Sequence, residues 1–372
     1  MITAKKRTIG MIVGGMALVA SIALTGCSAN GSQGGDGATS AEPSIALLLP
    51  DTVTTRWENQ DGVVFKKQME SACPECAFAV YNAKGSSETQ LSQAEAAVTN
   101  GANVLVITPV DTASASAMVD RIKQTPDVSV ISYSRVIPSD KVDYAVTTDT
   151  YTIGAQQAQG LVDELHSRGI TEGSLIVENG APTDSFAPIY KAGAHSVLDS
   201  SGFTVAAEYD TKDWSADVAQ TQTEQAITKL GKDGFVGIYA ANDSLAAGAI
   251  AAMKGAGIDP STRPTTGQDA TASGLQLILS GSQSSTIYPP IKDFGARAAD
   301  LAIAVAKGQT PPKELINGKA EWDGGTTPAY VFKTTLITID NVADTLEPKG
   351  FWTVDDICTP EYKDACAKAG IK

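Results

Sequence analysis

From Ser44 onward, short apolar runs rich in β-branched residues alternate with longer Ala-rich amphipathic segments. The predicted strands cover residues 45–49, 77–82, 104–107, 128–132 and 144–147, and the predicted helices cover 62–71, 88–100 and 114–124. Strands that alternate with helices at this spacing form βαβ units, in which helices cover both faces of a parallel sheet. The first part of the chain is therefore predicted to form an α/β lobe.

The same alternation restarts after Asp149, so Thr147-Thr148-Asp149 is the predicted boundary between two lobes. Beyond it, predicted helices cover 152–167, 191–200, 215–230, 245–255 and 272–280, and predicted strands cover 174–178, 204–209, 237–239 and 264–266. Open parallel sheets bind ligands beyond the carboxyl ends of their strands. We therefore expect a ligand site between the lobes, built from the loops that follow the strands.

The N-terminus has the layout of a bacterial lipoprotein signal. Lys5-Lys6-Arg7 precede an apolar run over residues 9–24, which closes in Leu24-Thr25-Gly26-Cys27. This run of about 16 residues is shorter than the roughly 20 that a membrane-spanning helix needs. We expect removal of residues 1–26, lipidation of Cys27 and a flexible tether over 27–43. The alternative is an uncleaved membrane anchor with a coincidental cysteine.

Charge and motifs narrow the class of function. The formal net charge is −14, and an acidic surface disfavours nucleic acid and anionic lipid as partners. The sequence has no P-loop, G-x-S-x-G or H-E-x-x-H motif, and His166 and His195 are its two histidines. A glycosidase would need a pair of carboxylates, and the spacing singles out none. We predict a protein that is not an enzyme and uses no cofactor and no metal.

Four further cysteines form two close pairs, Cys73 with Cys76 and Cys358 with Cys366. An even number of cysteines in an exported protein favours disulfides, so we predict two local structural bonds. The Cys-Pro-Glu-Cys spacing could instead form a redox dithiol or half of a zinc site. Neither histidine neighbours a cysteine, which argues against zinc.

Polar and aromatic residues follow the predicted strands of both lobes. They are Thr55-Arg56-Trp57, Tyr133-Ser134-Arg135, Asp184, Asp213-Trp214, Asn242-Asp243 and Gln268-Asp269. Planar amide, carboxylate and guanidinium groups can bond vicinal hydroxyls two at a time, and tryptophan offers a flat apolar face to a pyranose ring. The pattern favours a small neutral polyol such as a sugar. Asn242 and Asp243 could also simply cap the helix beginning at Ser244.

These segments resemble the type I periplasmic binding proteins of sugar ABC importers, most closely the xylose-binding and multiple-sugar-binding proteins. The residues that carry the resemblance, over roughly 44–357, are Arg56-Trp57, 88–93, 104–107, Ala241-Asn242-Asp243, 267–270 and Thr286-Ile287-Tyr288. The resemblance implies that the sugar contacts Trp57, Arg135, Trp214, Asn242 and Asp269. Arg56, Ser134, Asp184, Phe186 and Tyr288 complete the predicted ligand-binding set.

The resemblance also implies two doubly wound parallel-sheet lobes joined by a three-crossing hinge. The first lobe is expected to comprise residues 44–147 and 288–308, and the second residues 149–287 and 309–343. Residues 344–372 are expected to form a C-terminal tail. The hinge crossings are expected near Thr148, Ile287 and Gln309.

Three positions depart from the pattern of the family. Relatives commonly have Asp where this chain has Ser134, and amides where it has Ser185 and Phe186. A lysine often follows the tyrosine equivalent to Tyr288, and here Pro289 stands in its place. These changes favour a deoxy or substituted sugar with a less hydroxylated edge. The alternative is that ordered waters occupy the vacated positions and a common pentose or hexose binds.

Together these features predict a lipid-anchored extracytoplasmic receptor that captures a xylose-, glucose- or galactose-like monosaccharide and delivers it to an ABC permease. The lobes are expected to close around the ligand by hinge motion. The alternatives are a sensory sugar or nucleoside receptor that acts on a signalling partner, and a sugar-processing hydrolase.

Overall fold

The computed structural model describes residues 42–371. The predicted signal segment 1–26, the predicted lipidation site Cys27 and nearly all of the tether 27–43 lie outside these residues. Within 42–371, no helix combines the length and the apolar character needed to cross a lipid bilayer.

Strands and helices alternate over most of the described chain. The strands are β1 (Ser44–Leu49), β2 (Ala77–Asn82), β3 (Val104–Ile107), β4 (Ser129–Tyr133), β5 (Tyr144–Thr148), β6 (Gly173–Asn179), β7 (Phe203–Asp210), β8 (Gly237–Ala240), β9 (Thr286–Tyr288), β10 (Gly318–Trp322), β11 (Gly325–Phe332) and β12 (Thr335–Ile337). The helices are α1 (Gly62–Ala72), α2 (Ser87–Thr99), α3 (Thr112–Ile122), α4 (Thr150–Ser167), α5 (Phe186–Leu198), α6 (Ala216–Leu230), α7 (Asp243–Gly255), α8 (Ala272–Leu279), α9 (Ile291–Ala306), α10 (Val354–Ile357) and α11 (Lys363–Lys368). A π-helical turn, Trp57–Asp61, runs directly into α1.

The first lobe is built on a seven-stranded sheet in the order β10-β11-β5-β4-β3-β1-β2. All neighbours are parallel except β10, which runs antiparallel to β11. The placement of β10 and β11 corrects the expectation that residues 309–343 belong to the second lobe. Strand β11 pairs with β5, with Ala329 opposite Ala145, and so covers N–H and C=O groups that an edge strand would leave unpaired.

The second lobe is built on β7-β6-β8, again parallel. Single bridges extend this sheet from Ile238 to Thr265 and from Gln268 to Ile287, and β12 pairs antiparallel with β9. The predicted strand 264–266 thus contributes one bridge rather than a full strand. The chain passes between the lobes after β5, between β9 and α9, and between β11 and β12. The third crossing therefore follows β11 and does not lie near Gln309.

Helices cover both faces of the first sheet, which explains why β1 is buried along its whole apolar length. Leu47 packs on one face with Phe65 of α1 and Phe294 of α9. The adjacent Leu48 points to the opposite face and packs with Val119 of α3. Because β1–β5 run parallel, the loops that follow them lie at one edge of the lobe, where they face the second lobe.

The C-terminal residues 344–371 pack against the second lobe. Trp352 and Ile357 are buried in a cluster with Leu275 of α8 and Tyr288 of β9. Gln276 of α8 also donates from its side-chain amide to the Ile357 carbonyl at 3.1 Å. The segment predicted as a tail is therefore an integral part of this lobe.

Both predicted cysteine pairs are disulfide-bonded. The Cα atoms of Cys73 and Cys76 are 5.3 Å apart, and those of Cys358 and Cys366 are 5.9 Å apart, within the usual range for disulfides. The first bond lies at the end of α1 and the second joins α11 to the residue after α10. Each bond is local, as the sequence predicted.

Candidate ligand-binding cleft

A cleft between the two lobes collects the loops that follow the strands. Its lining residues are Thr54, Arg56, Trp57, Ser134, Arg135, Asp184, Phe186, Tyr190, Trp214, Asn242, Gln268 and Asp269. Those of the first lobe follow β1 and β4, and those of the second follow β6, β7, β8 and the bridged segment near Thr265. This is the location where open α/β sheets bind ligands.

Arg56 connects the two walls of the cleft. Its Nε and Nη2 atoms donate to both carboxylate oxygens of Asp61 at 2.8 and 3.1 Å, and its Nη1 atom donates to Asp269 at 3.1 Å. The Tyr133 hydroxyl also donates to Asp61. Burial by itself would lower the pKa of Arg56, but the carboxylates of Asp61 and Asp269 raise it. Arg56 is therefore a fixed cation that bonds a residue of each lobe.

Arg135 and Asp184 form a second ion pair between the lobes. The Arg135 Nε atom lies 2.7 Å from a carboxylate oxygen of Asp184, and both side chains are buried. Arg135 also donates from Nη1 to the Pro109 carbonyl at 2.8 Å. Asp184 accepts the backbone N–H of Phe186 at 2.9 Å. Each side chain of this ion pair is thus also hydrogen-bonded within its own lobe.

Aromatic side chains line both walls. The guanidinium groups of Arg56 and Arg135 lie 4.8 and 5.5 Å from the centre of the Trp57 ring, within the range of cation–π attraction. On the other wall, Trp214 meets Tyr190 edge-to-face at 6.4 Å between ring centres. Gly180 permits this position of Trp214, because a Cβ atom there would lie 2.1 Å from the indole ring.

Three buried polar atoms of the lining residues have no hydrogen-bond partner among the described residues. They are Nε1 of Trp57, Nε1 of Trp214 and Oε1 of Gln268. The amide nitrogen of Gln268 is engaged, since it donates to the Tyr190 hydroxyl at 3.1 Å. Buried polar groups in proteins are nearly always paired. The cleft therefore offers two free donors and one free acceptor, which suits a small molecule that both donates and accepts.

The backbone at the cleft is held in conformations that L-residues rarely adopt. Ser134, Trp214 and Asp269 have positive φ angles of 62°, 55° and 91°. Each costs roughly 1–3 kcal/mol and persists only where surrounding contacts impose it, typically at functional sites. These turns direct the side chains of three predicted site residues into the cleft wall.

Asn242 both caps a helix and lines the cleft. Its Oδ1 atom accepts an N–H of the first turn of α7 at 2.9 Å, so the capping alternative is correct but incomplete. The next residue, Asp243, accepts the N–H of Thr271 at 2.8 Å and the hydroxyl of Thr286 at 2.8 Å. Burial raises the pKa of Asp243 to about 7, opposed by these donors. Asp243 thus ties α7 to the loop that carries Asp269.

Nine of the ten predicted ligand-binding residues lie together in the cleft lining. The exception is Tyr288, which the structure places in the hydrophobic cluster with Trp352. The lining also contains Thr54, Tyr190 and Gln268, which the predicted set omitted. Gln268 carried a signal, since it follows a predicted strand beside Asp269. Tyr190 was missed because α5 begins at Phe186, five residues before the predicted helix 191–200, and so places Tyr190 one turn after Phe186 on the cleft wall.

The described residues contain one cluster of possible metal ligands, Cys73, Glu75 and Cys76. Its two cysteines are bonded to each other. In the cleft, the carboxylates of Asp184 and Asp269 are paired with guanidinium groups. The arrangement suits hydrogen bonding to a ligand rather than ligation of a cation.

Comparison with known proteins agrees with this architecture. The periplasmic binding protein domain matches residues 45–310. The D-xylose-binding periplasmic protein of Escherichia coli (strain K12) is 30% identical over 316 residues, which cover 83% of this chain and 91% of that protein. The family match covers most of the chain, and the sequence identity extends over nearly the whole relative, so the similarity includes the sequence as well as the fold.

Two solved structures also align over most of the chain. The crystal structure of an ABC transporter solute binding protein from Clostridium phytofermentans with bound β-D-glucose has a TM-score of 0.75 at 25% identity, covering 84% of this chain and 99% of that one. A carbohydrate transporter solute binding protein from Chloroflexus aurantiacus in complex with D-glucose has a TM-score of 0.74 at 26% identity, covering 84% and 97%.

These similarities confirm the predicted two-lobed α/β architecture. The matching proteins are binding proteins of sugar transport and not enzymes, which confirms that prediction as well. The chain belongs to the periplasmic binding protein family and has its type I fold.

Proposed function

We propose that this protein captures a neutral monosaccharide in the cleft between its lobes and delivers it to an ABC permease. The observation that carries the proposal is the set of three buried, unpartnered polar atoms on Trp57, Trp214 and Gln268, set between aromatic faces. A sugar satisfies donors and acceptors with hydroxyl groups and packs its C–H face on tryptophan.

The charges of the cleft favour a neutral ligand. Two guanidinium groups, Arg56 and Arg135, are paired with three carboxylates, Asp61, Asp184 and Asp269. No cation is left over for a sugar phosphate or sugar acid within this set. Each paired carboxylate retains lone pairs, and each guanidinium retains N–H donors, that can bond ligand hydroxyls.

The relatives support a pentose or hexose as the ligand. The Escherichia coli relative is named for D-xylose, and the two solved structures contain glucose. D-xylose and D-glucose are therefore the first sugars to test. Departures at Ser134 and Phe186 favour a sugar with a less hydroxylated edge, so 2-deoxy-D-glucose belongs in the same series.

The proposed mechanism is hinged closure on the three crossing segments. In the conformation described here, Arg56 bonds Asp269 and Arg135 bonds Asp184 across the cleft. Opening of the lobes separates both pairs and exposes the lining to water. A sugar that bonds both walls favours the closed form by its differential affinity, and the permease then receives the closed, loaded protein.

The sugar-binding part of the proposal is tested by calorimetry and thermal shift with D-xylose, D-glucose, D-galactose and nucleosides. We expect a sugar to raise the unfolding midpoint, because it binds the native state alone. Asn242→Ala should weaken binding by about 10-fold or more, since it leaves a polar position in a dry cleft unfilled. The matched control is Asp120→Ala, which removes an exposed ion pair with Lys141. A response to nucleosides alone would support a sensory receptor instead.

We also propose that lipid on Cys27 holds the protein at the outer face of the cell membrane. The support is the sequence pattern alone: a basic start, a short apolar run and Leu24-Thr25-Gly26-Cys27. Cys27→Ser should release the protein from membranes or leave it as an uncleaved precursor. Normal processing and unchanged membrane fractionation of that variant would contradict lipid attachment.

A further inference from the structure

The loop that carries Asp269 is held by contacts on several sides. The Asp269 N–H donates to the Ile287 carbonyl at 2.9 Å, and the Ala270 N–H donates to the Thr286 hydroxyl at 3.2 Å. Thr271 donates its N–H to Asp243 at 2.8 Å. Three consecutive amides are thus engaged within the second lobe.

This loop needs such restraint because of its backbone. Asp269 and Ala270 both have positive φ angles, 91° and 46°, which non-glycine residues disfavour. Two consecutive strained residues relax unless surrounding contacts impose the conformation. Relaxation would move the Asp269 carboxylate away from Arg56 and from the ligand position.

A further strong hydrogen bond to the backbone of this loop comes from the C-terminal segment. The indole Nε1 of Trp352 donates to the Ala270 carbonyl at 2.9 Å, and Trp352 is 9% exposed. The amide of Gln60, from the first lobe, reaches the same carbonyl at 3.5 Å, too long for a strong hydrogen bond. Trp352 lies outside residues 45–310, which match the family domain.

We infer that Trp352 is a positioning residue for ligand binding: its indole N–H and ring hold the strained Asp269–Ala270 turn in the conformation that presents Asp269 to the cleft. Trp352 is itself fixed by the C-terminal segment. Its backbone N–H donates to the Thr345 carbonyl, and its backbone carbonyl accepts the N–H of Glu347. The C-terminal segment is then part of the binding machinery rather than an inert extension. The effect on affinity rests on the proposed function; the effect on the loop does not.

Trp352→Phe is the variant that tests this inference, because it keeps an apolar ring and removes the N–H donor. The first measurement is hydrogen exchange of the amides of residues 269–271 in the ligand-free protein. We expect exchange there to accelerate about five- to tenfold, the effect of losing one buried hydrogen bond. The second measurement is affinity for whichever of D-glucose and D-xylose the wild type binds, expected to fall about fivefold.

Trp322→Phe is the matched control. Trp322 lies in β10, donates from Nε1 to the Thr327 hydroxyl at 3.3 Å and does not line the cleft. It should change neither the exchange of residues 269–271 nor the affinity. Wild-type exchange of these amides in Trp352→Phe overturns the inference, whatever the sugar result. Failure of the wild type to bind any sugar would instead count against the proposed function, and the exchange measurement would still decide the role of Trp352.

Discussion

The two walls of the cleft differ in charge. The first lobe contributes both cations, Arg56 and Arg135, whereas the second contributes both carboxylates of the lining, Asp184 and Asp269. Each cation meets a carboxylate of the opposite wall. Closure of the lobes therefore brings opposite charges together in a site shielded from water, where their attraction is stronger than in an open cleft. The attraction between the members of each pair therefore favours the closed arrangement of the two lobes.

The lobes differ also in how they accommodate buried carboxyl groups. In the first lobe, Asp61 is paired with Arg56 through two hydrogen bonds. In the second, Glu178 is fully buried and accepts the hydroxyls of Thr211 and Thr223, with no cation among its hydrogen-bond partners in the described residues. Burial raises the pKa of Glu178 to about 8. Within residues 42–371, Glu178 is thus buried without a cation beside it, so its ionisation lowers the free energy of unfolding as pH rises.

The largest expected effect on sugar affinity comes from removing the carboxylate that joins the walls. Asp269→Ala should lower sugar affinity more than about 100-fold, roughly 3 kcal/mol, because it removes a ligand contact and leaves one Arg56 donor unpaired on closure. Calorimetry with D-glucose and D-xylose measures this, with Asp120→Ala at an exposed ion pair as the control. Unchanged affinity would mean that the ligand binds elsewhere.

The largest expected effect on stability belongs to the second lobe. Because the folded-state pKa of Glu178 lies above its ordinary value near 4.5, the folded state holds this proton more tightly than the unfolded state. The free energy of unfolding should therefore be highest below about pH 4.5 with respect to this group, and fall as pH rises to about 8. At about 1.4 kcal/mol per pKa unit, the shift from 4.5 to about 8 corresponds to a fall of at most roughly 5 kcal/mol.

Glu178→Gln should remove most of that fall, so the variant gains stability relative to wild type as pH rises from 5 to 8. Asp243, whose pKa is raised to about 7 by burial, should leave a smaller residual fall of the same sign. Urea unfolding at several pH values measures both. Glu224→Gln, at an exposed position of α6, controls for the substitution. If the stability of wild type and of Glu178→Gln depended on pH in the same way, the buried carboxyl of Glu178 would not be the source of the pH dependence.

A third pair of variants compares the aromatic faces of the two walls. Trp57→Phe should weaken sugar binding about 10-fold, since it removes an indole donor and reduces the ring that two guanidinium groups contact. Trp214→Phe should weaken it about fivefold, because it removes the donor but no cation contact. Calorimetry gives the affinities, and the ligand response of tryptophan fluorescence should shrink in each. Trp322→Phe should retain the wild-type affinity and the wild-type fluorescence response. An equal loss of affinity in all three variants would remove the distinction between the walls.

The smallest effect is expected from adding a carboxylate to the cationic wall. Ser134→Asp should shift the preference between D-glucose and 2-deoxy-D-glucose about threefold toward the fully hydroxylated sugar, because a carboxylate can grip two hydroxyls. Asp also tolerates the positive φ at this position. Competition calorimetry measures the ratio. Tight wild-type binding of D-glucose with no preference for the deoxy sugar would leave the receptor function standing and remove the idea of altered specificity.

Much of the fold followed from local patterns. The apolar runs of β1 and β3, buried on both faces, and the Ala-rich helices between them are signals of a parallel α/β sheet that need no tertiary information. Residues 309–343, which contain β10 and β11, were assigned to the second lobe from the family resemblance, and the alternation of their residues is the same whichever sheet they join. Their place depends on the free edge of β5, which only the assembled sheet provides.

The sequence by itself determined which loops reach the cleft, because residues that follow parallel strands share one edge of a sheet. That reasoning brought Arg56, Arg135, Asp184 and Asp269 together correctly, although they are far apart in the chain. Only the tertiary structure decided that Tyr288 turns away from the cleft. Its strand is covered by the C-terminal segment, whose docking depends on shape and burial between distant residues rather than on any local pattern. The same docking places Trp352 against the Asp269 loop, a contact that no spacing in the sequence encodes.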